Sequence, residues 1–195
     1  MVKVNSSSVK KSIPTEIGIE AAELVTKVAK EQNIAIALAG GIAMHIYGFT
    51  RATTDVDMLA QAVLPLPSVG ELNFGGENYQ VTVSERVVSV DVIVRNDELA
   101  KIYQTALNQA KETDIGIKII SPEWLVVLKY FSARAKDKID VIWLLQEDGL
   151  VDRQLIESNL VDAVGKESAY FIFNDLKSEF DYADFIKHRE KSKHG

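Results

Sequence analysis

The chain has no cysteine. Disulfides, a thiol nucleophile and a cysteine-held zinc site are therefore excluded, and a cytoplasmic protein is the expectation. Histidine is scarce. His45, His188 and His194 stand at no spacing that suggests a metal site, and His45 reads as a helix-surface or core residue. No apolar run approaches ~18 residues, so neither a transmembrane helix nor a membrane partner is expected. The start, Met1 to Ser8, lacks the apolar core of a secretion signal. Basic residues are outnumbered, 22 against 28 acidic, for a net charge of −6. That balance argues against a surface that coats nucleic acid, while leaving a local basic patch open.

What is present suits a folded domain. An apolar share of 47% over 195 residues can build a sizeable core. One domain, or one domain with a helical extension, is the natural reading. A loose polar tail over residues 1–13 precedes Pro14. Apolar residues at helical spacing predict a helix over 16–32, with Ala21, Leu24, Val25, Val28 and Ala29 on one face. A buried strand over 34–38 ends at Gly40-Gly41, a helix restarts over 42–47, and a strand follows over 54–59. Prolines and glycines over 61–76 predict a surface loop. Residues 79–83 and 87–94 predict an antiparallel pair turning near Ser84-Glu85-Arg86. Asn96 or Asp97 caps a helix to about residue 110, and 115–120 is a further strand. Ser121-Pro122-Glu123 is a strong helix start. Helices over 137–146 and, twice more, over 152–188 complete the chain before a charged tail over 190–195. The expectation is an α/β (α+β) protein. It has a small mixed sheet in a core over 14–120 and a helical C-terminal portion over 121–195 packed on it.

The chemistry concentrates between Ala37 and Ala60. Asp55 and Asp57 sit at i and i+2 of a strand, so both point to one face while Val56 and Met58 turn into the core. Two carboxylates on one face repel unless a cation joins them, and Mg²⁺ takes oxygen ligands of this kind. The alternative is a strand edge with two solvated acids. Asp91 interrupts the apolar run Val88-Ser89-Val90-Asp91-Val92-Ile93, where a charge is costly unless paired or metal-bound. Gly40-Gly41 permits close backbone approach to a phosphate and opens a helix with free N–H groups. By itself it is also an ordinary strand-to-helix turn. Arg51 either meets a triphosphate through its planar fork or forms a surface charge or a salt bridge to Asp55. Lys129 sits on an otherwise apolar helix side, unusual for lysine, and as a point charge can reach a phosphate. Asp137 and Asp140 cap the next helix, orient Lys129 or Arg134, or bear on the site. Trp124 and Trp143 read as core or helix-interface residues.

The run of an apolar residue, Gly40-Gly41, a gap over 42–54 and Asp55-Val56-Asp57-Met58 resembles the nucleotidyltransferase superfamily with the polymerase-β-type palm. The gap lies at the long edge of that pattern. Arg51-Ala52-Thr53-Thr54-Asp55 is similar to an Arg-x-Thr-x-Asp run of one branch. A second block, Lys129 with Arg134, Lys136, Asp137 and Asp140, resembles the helix-turn-helix of the branch containing AbiEii-like toxins of abortive-infection systems. The resemblance covers about residues 16–146. It implies transfer of a nucleoside monophosphate from a nucleoside triphosphate to an acceptor hydroxyl on RNA, protein or a small molecule. It also implies two Mg²⁺ ions, with Mn²⁺ as a substitute, held by Asp55, Asp57 and Asp91. Gly40, Gly41, Arg51 and Lys129 would then hold phosphates, and a toxin role would bring an antitoxin partner. The competing expectation is a non-catalytic module that keeps the fold and binds a nucleotide or partner.

Overall fold

The computed structural model describes residues 11–192. Of the expected N-terminal tail, only residues 11–13 fall within it, and there Ile13 N–H donates to the Thr53 carbonyl at 2.9 Å. A seven-stranded mixed sheet has the order β3-β4-β5-β2-β1-β7-β6. Its centre is β2 (Asp55–Ala60), antiparallel to β1 (Ile36–Ala39) and parallel to β5 (Arg86–Ile93). The predicted antiparallel pair is present as β4 (Gly76–Val83) and β5, joined where Ser84 and Glu85 take left-handed φ values of 46° and 64°.

Period-two alternation explains the sheet. Val56 and Met58 on β2, with Val88, Val90 and Val92 on β5, are buried, whereas Asp55, Asp57, Ser89 and Asp91 alternate with them and stay partly open. Helix α1 (Thr15–Glu31) lies across β1, β2, β4 and β5, burying Ala21, Ala22, Val25 and Ala29. The short α2 (Gly40–Ile46) links β1 to the approach of β2. Helix α3 (Ala100–Asn108) starts just beyond Asp97, whose carboxylate accepts from Leu99 N–H.

Two expectations need correction. The supposed loop over 61–76 contains β3 (Ser68–Glu71), an exposed edge strand on β4. None of its residues is buried, so no inward-facing pattern marked it. The strand expected over 115–120 is a hairpin of two-residue strands, β6 (Lys111–Glu112) and β7 (Lys118–Ile119), and Gly116 at φ 72° lies in its turn.

Helix α4 (Pro122–Ser132) begins as predicted, with the Ser121 hydroxyl accepting from Trp124 N–H. It ends on Ala133 in the left-handed region, φ 54°, a conformation that costs a non-glycine residue about 1–2 kcal/mol. Helix α5 (Ala135–Gln146) follows at once. Then come α6 (Arg153–Val164), capped by Asp152, and α7 (Lys166–Lys191), which ends at the start of the region expected as a charged tail. Trp124 is fully buried and donates to Gln109, while Trp143 stacks on Phe49 at 4.8 Å. Among the described residues no helix is long and apolar enough to cross a membrane.

Candidate active site

Strand register brings the three aspartates together. In the parallel β2–β5 pair, Asp57 stands opposite Asp91 and Asp55 opposite Ser89. All of these point to the same face. One strand further out, Asn78 lies opposite Asp91 and Gln80 opposite Ser89. The Asn78 amide donates to Asp91 at 2.5 Å and reaches the Ser89 hydroxyl at 2.7 Å. The hydroxyls of Thr53 and Thr54 donate to Asp55, both at 3.4 Å.

The glycine pair packs directly on this strand. Gly40 has φ +60°, and a Cβ there would lie 1.7 Å from Asp57 Oδ2. A Cβ on Gly41 would lie 2.5 Å from Thr53 Oγ1. Both halves of the motif are thus one packed unit. The missing side chains make room for Asp57 and Thr53, quite apart from any phosphate.

The carboxylates repel one another. Burial, then Asp55, then Asp91 push the Asp57 carboxyl up to about 6, against the opposing pull of Lys129 and Arg134. An acidic cluster with that surplus of negative charge fits a hard divalent cation, whose preferred donors are carboxylate oxygens. The side chains are not drawn into a closed cage: among the described residues no three acidic, histidine or cysteine groups stand as a formed metal cluster.

Across from the acids lies a network of cations. Lys129 Nζ donates to Asp140 at 2.5 Å and to Asp137 at 3.3 Å, and its side chain is only 6% exposed. Arg51 clamps both oxygens of Asp140, at 2.6 and 2.7 Å. The other Asp137 oxygen accepts from Ser132 and Arg134, each at 2.5 Å. Burial works against ionised Asp137, yet Ser132, Arg134 and Lys129 hold its carboxyl below the usual range. Arg51 therefore pairs with Asp140 and not with Asp55, and Lys129 is engaged with two aspartates. Asp137 does not cap α5, whose first residue follows Arg134 with no side-chain cap. Three cations face two anions here, leaving one positive charge in excess near Asp57.

Reading the sequence left two contributors out of the site. Arg134 has a 56% exposed side chain and feels the charges of Asp57 and Asp55. Its place in the Lys129–Asp140 block was the available signal. His45 is the other. Its Nε2 faces the Arg51 carbonyl at 2.7 Å, which only accepts, so Nε2 carries the proton. Nδ1 then accepts from the Thr15 hydroxyl at 2.9 Å. The ring ties the loop bearing Arg51 to the start of α1.

No curated protein matches the chain. Among solved structures it is similar to an antigenic nucleotidyltransferase-like protein from Paracoccidioides brasiliensis, at 17% identity over 87% of this chain and 94% of that one, with a TM-score of 0.49. It is also similar to the antibiotic-resistance factor ANT(2'')-Ia in solution, at 15% identity over 88% and 99% of the two chains, TM-score 0.37. The crystal structure of ANT(2'')-Ia in complex with adenylyl-2''-tobramycin gives 16% identity over 83% and 99%, TM-score 0.38. Over residues 17–193 the chain matches, and belongs to, the family described as nucleotidyltransferase of unknown function (DUF6036).

Proposed function

We propose that the protein transfers a nucleoside monophosphate from a nucleoside triphosphate to an acceptor hydroxyl. The observation that carries this reading is the β2–β5 register, which sets Asp55, Asp57 and Asp91 on one face with a cationic wall opposite. Asp55, Asp57 and Asp91 would hold divalent cations, Mg²⁺ or Mn²⁺. Bound there, such ions neutralise the acids and stabilise charge on the attacking and leaving oxygens.

The chain's own groups divide the remaining work. The acceptor oxygen bonds to the α-phosphorus, the α–β phosphoanhydride bond breaks and pyrophosphate leaves. Asp91, the outermost of the three acids, takes the hydroxyl proton. Arg134, partly exposed beside Asp137 and within the field of Asp57 and Asp55, pairs with the triphosphate. Arg51 and Lys129 act through the potential of their network, and Gly40-Gly41 keeps Asp57 in place beside the phosphates. The toxin-type assignment, with its antitoxin, rests on the Lys129–Asp140 block alone. The ion-pair network gives that block a fold-holding role that needs no such partner.

The test is incubation with each nucleoside triphosphate, labelled at the α or the γ phosphate, with Mg²⁺ and either total RNA, protein or a small-molecule extract. Retention of α-label on an acceptor, lost in Asp55→Asn, is expected. Undiminished transfer in that variant would remove the mechanism, and triphosphate binding without turnover would make this a non-catalytic module.

A further inference from the structure

A cleft of about 670 Å³ opens at the N-terminal ends of β2 and β5, lined by residues including Lys11, Thr54, Asn78, Gln80, Arg86 and Ser89. Its floor is continuous with the acids, because Thr54 donates to Asp55 and Asn78 to Asp91. The topology gives it a side. The glycine pair reaches β2 from β1, whereas this cleft lies over β4 and β5, on the opposite flank of the same strand.

We propose that this cleft is the acceptor site and that it takes a small, hydroxyl-rich acceptor carrying a phosphate, a sugar phosphate in chemical class. The proposal rests on the nucleotidyltransferase reading and narrows it. The lining holds two cations and no carboxylate. Neither Lys11 nor Arg86 is in an ion pair among the described residues. They are therefore available to an anion, with Arg86 offering the planar fork that suits phosphate. Asn78, Gln80, Thr54 and Ser89 supply the mixed donors and acceptors that hydroxyls need. A polycationic aminoglycoside would meet two like charges at the rim and no carboxylate in the lining.

A single-stranded nucleic acid fits less well. Its bases need aromatic faces to stack on, and no ring lines this cleft. A chain of net charge −6 also does not steer a polyanion toward itself. The volume falls within the usual range for small-molecule sites, about 300–1,000 Å³.

The experiment titrates ribose 5-phosphate into the ¹⁵N-labelled full chain without nucleotide and follows the amides of Gln80, Arg86 and Ser89. Saturable shifts are expected, weakened about tenfold or more for unphosphorylated ribose and for Lys11→Gln/Arg86→Gln, since a charge-assisted contact to phosphate is being removed. The inference is overturned if ribose 5-phosphate leaves those amides unmoved. It is equally overturned if kanamycin or a single-stranded RNA oligomer binds there more tightly, or if Mg·ATP occupies the same amides. Mg·ATP shifts at Gly41 and Arg134, read in the same spectra, report separately on the nucleotidyltransferase reading. Their presence without ribose 5-phosphate binding sinks the acceptor inference alone. Their absence beside saturable ribose 5-phosphate binding sinks the transferase reading and leaves an anion site.

Discussion

Gly40→Ala tests whether the glycine pair and the aspartate strand act as one unit. The substitution has two separable costs. The backbone at φ +60° charges any L side chain about 1–2 kcal/mol. The new methyl would also sit 1.7 Å from Asp57 Oδ2, so the carboxylate must move, and overpacking of this kind costs about 1–3 kcal/mol. The sum, about 2–5 kcal/mol, leaves a typical domain folded. A double-mutant cycle isolates the second part. Asp57→Gly removes all three of the clashing atoms, Oδ2, Cγ and Cβ, so Gly40→Ala in that background should cost only the backbone part. The coupling, about 1–3 kcal/mol, is read from urea unfolding midpoints in EDTA. Transfer activity should fall with Gly40→Ala because Asp57 is displaced. Equal costs in both backgrounds would refute the packing argument, and full activity in Gly40→Ala would refute the claim that Asp57 must stay where it is.

Further outcomes follow from the charges. The Asp57 carboxyl titrates near 6 in the folded chain, above its ordinary 3.8, so between those values only the unfolded chain has given up its proton. Metal-free protein should therefore lose stability as pH rises from about 4 to 6, by up to about 3 kcal/mol. Asp57→Asn should flatten that slope in EDTA and Mg²⁺ should offset it, whereas an unchanged slope in the variant would place the titration elsewhere. Lys129→Met leaves Asp137 and Asp140 buried without their shared cation and should cost about 3–5 kcal/mol in thermal or urea unfolding, and a loss below about 1 kcal/mol would contradict a network role. Arg134→Gln should raise KM for the triphosphate about tenfold or more with less than about 1 kcal/mol lost from stability, given its exposure, and an unmoved KM would remove it from the phosphate contacts. Asp55→Asn should abolish transfer while keeping the unfolding midpoint, and a collapsed fold would mean that Asp55 serves structure.

The legible parts of the fold were those whose signal is local. Alternation around Asp55-Val56-Asp57-Met58 and Val90-Asp91-Val92 read directly as strands with acids on one face, because burial in a sheet has period two. Ser121-Pro122 announced α4 through capping chemistry that needs only its own residues. The edge strand β3 was invisible for the complementary reason. Its four residues are all exposed, and what makes them a strand is the backbone of β4 beside them. Non-local pairing leaves no mark on composition.

The site divides along the same line. Lys129 was correctly odd, since a lysine on an apolar helix side needs a partner. Its partners lie 8 and 11 residues on, and the third member of the network, Arg51, lies 89 residues before Asp140. Periodicity along one helix does not reveal which of several acids and phosphates a cation meets across a turn. The same physics explains how Lys129 and Arg51 still bear on Asp57 while paired with Asp137 and Asp140. Their charges are fixed by Asp137 and Asp140 with one positive charge left over, and a partly buried surplus is screened less than an exposed one. A group can therefore matter to Asp57 while being fully occupied elsewhere. That is why Arg134, the network's exposed end, is the member whose loss should appear in KM, and Lys129 the one whose loss should appear in stability.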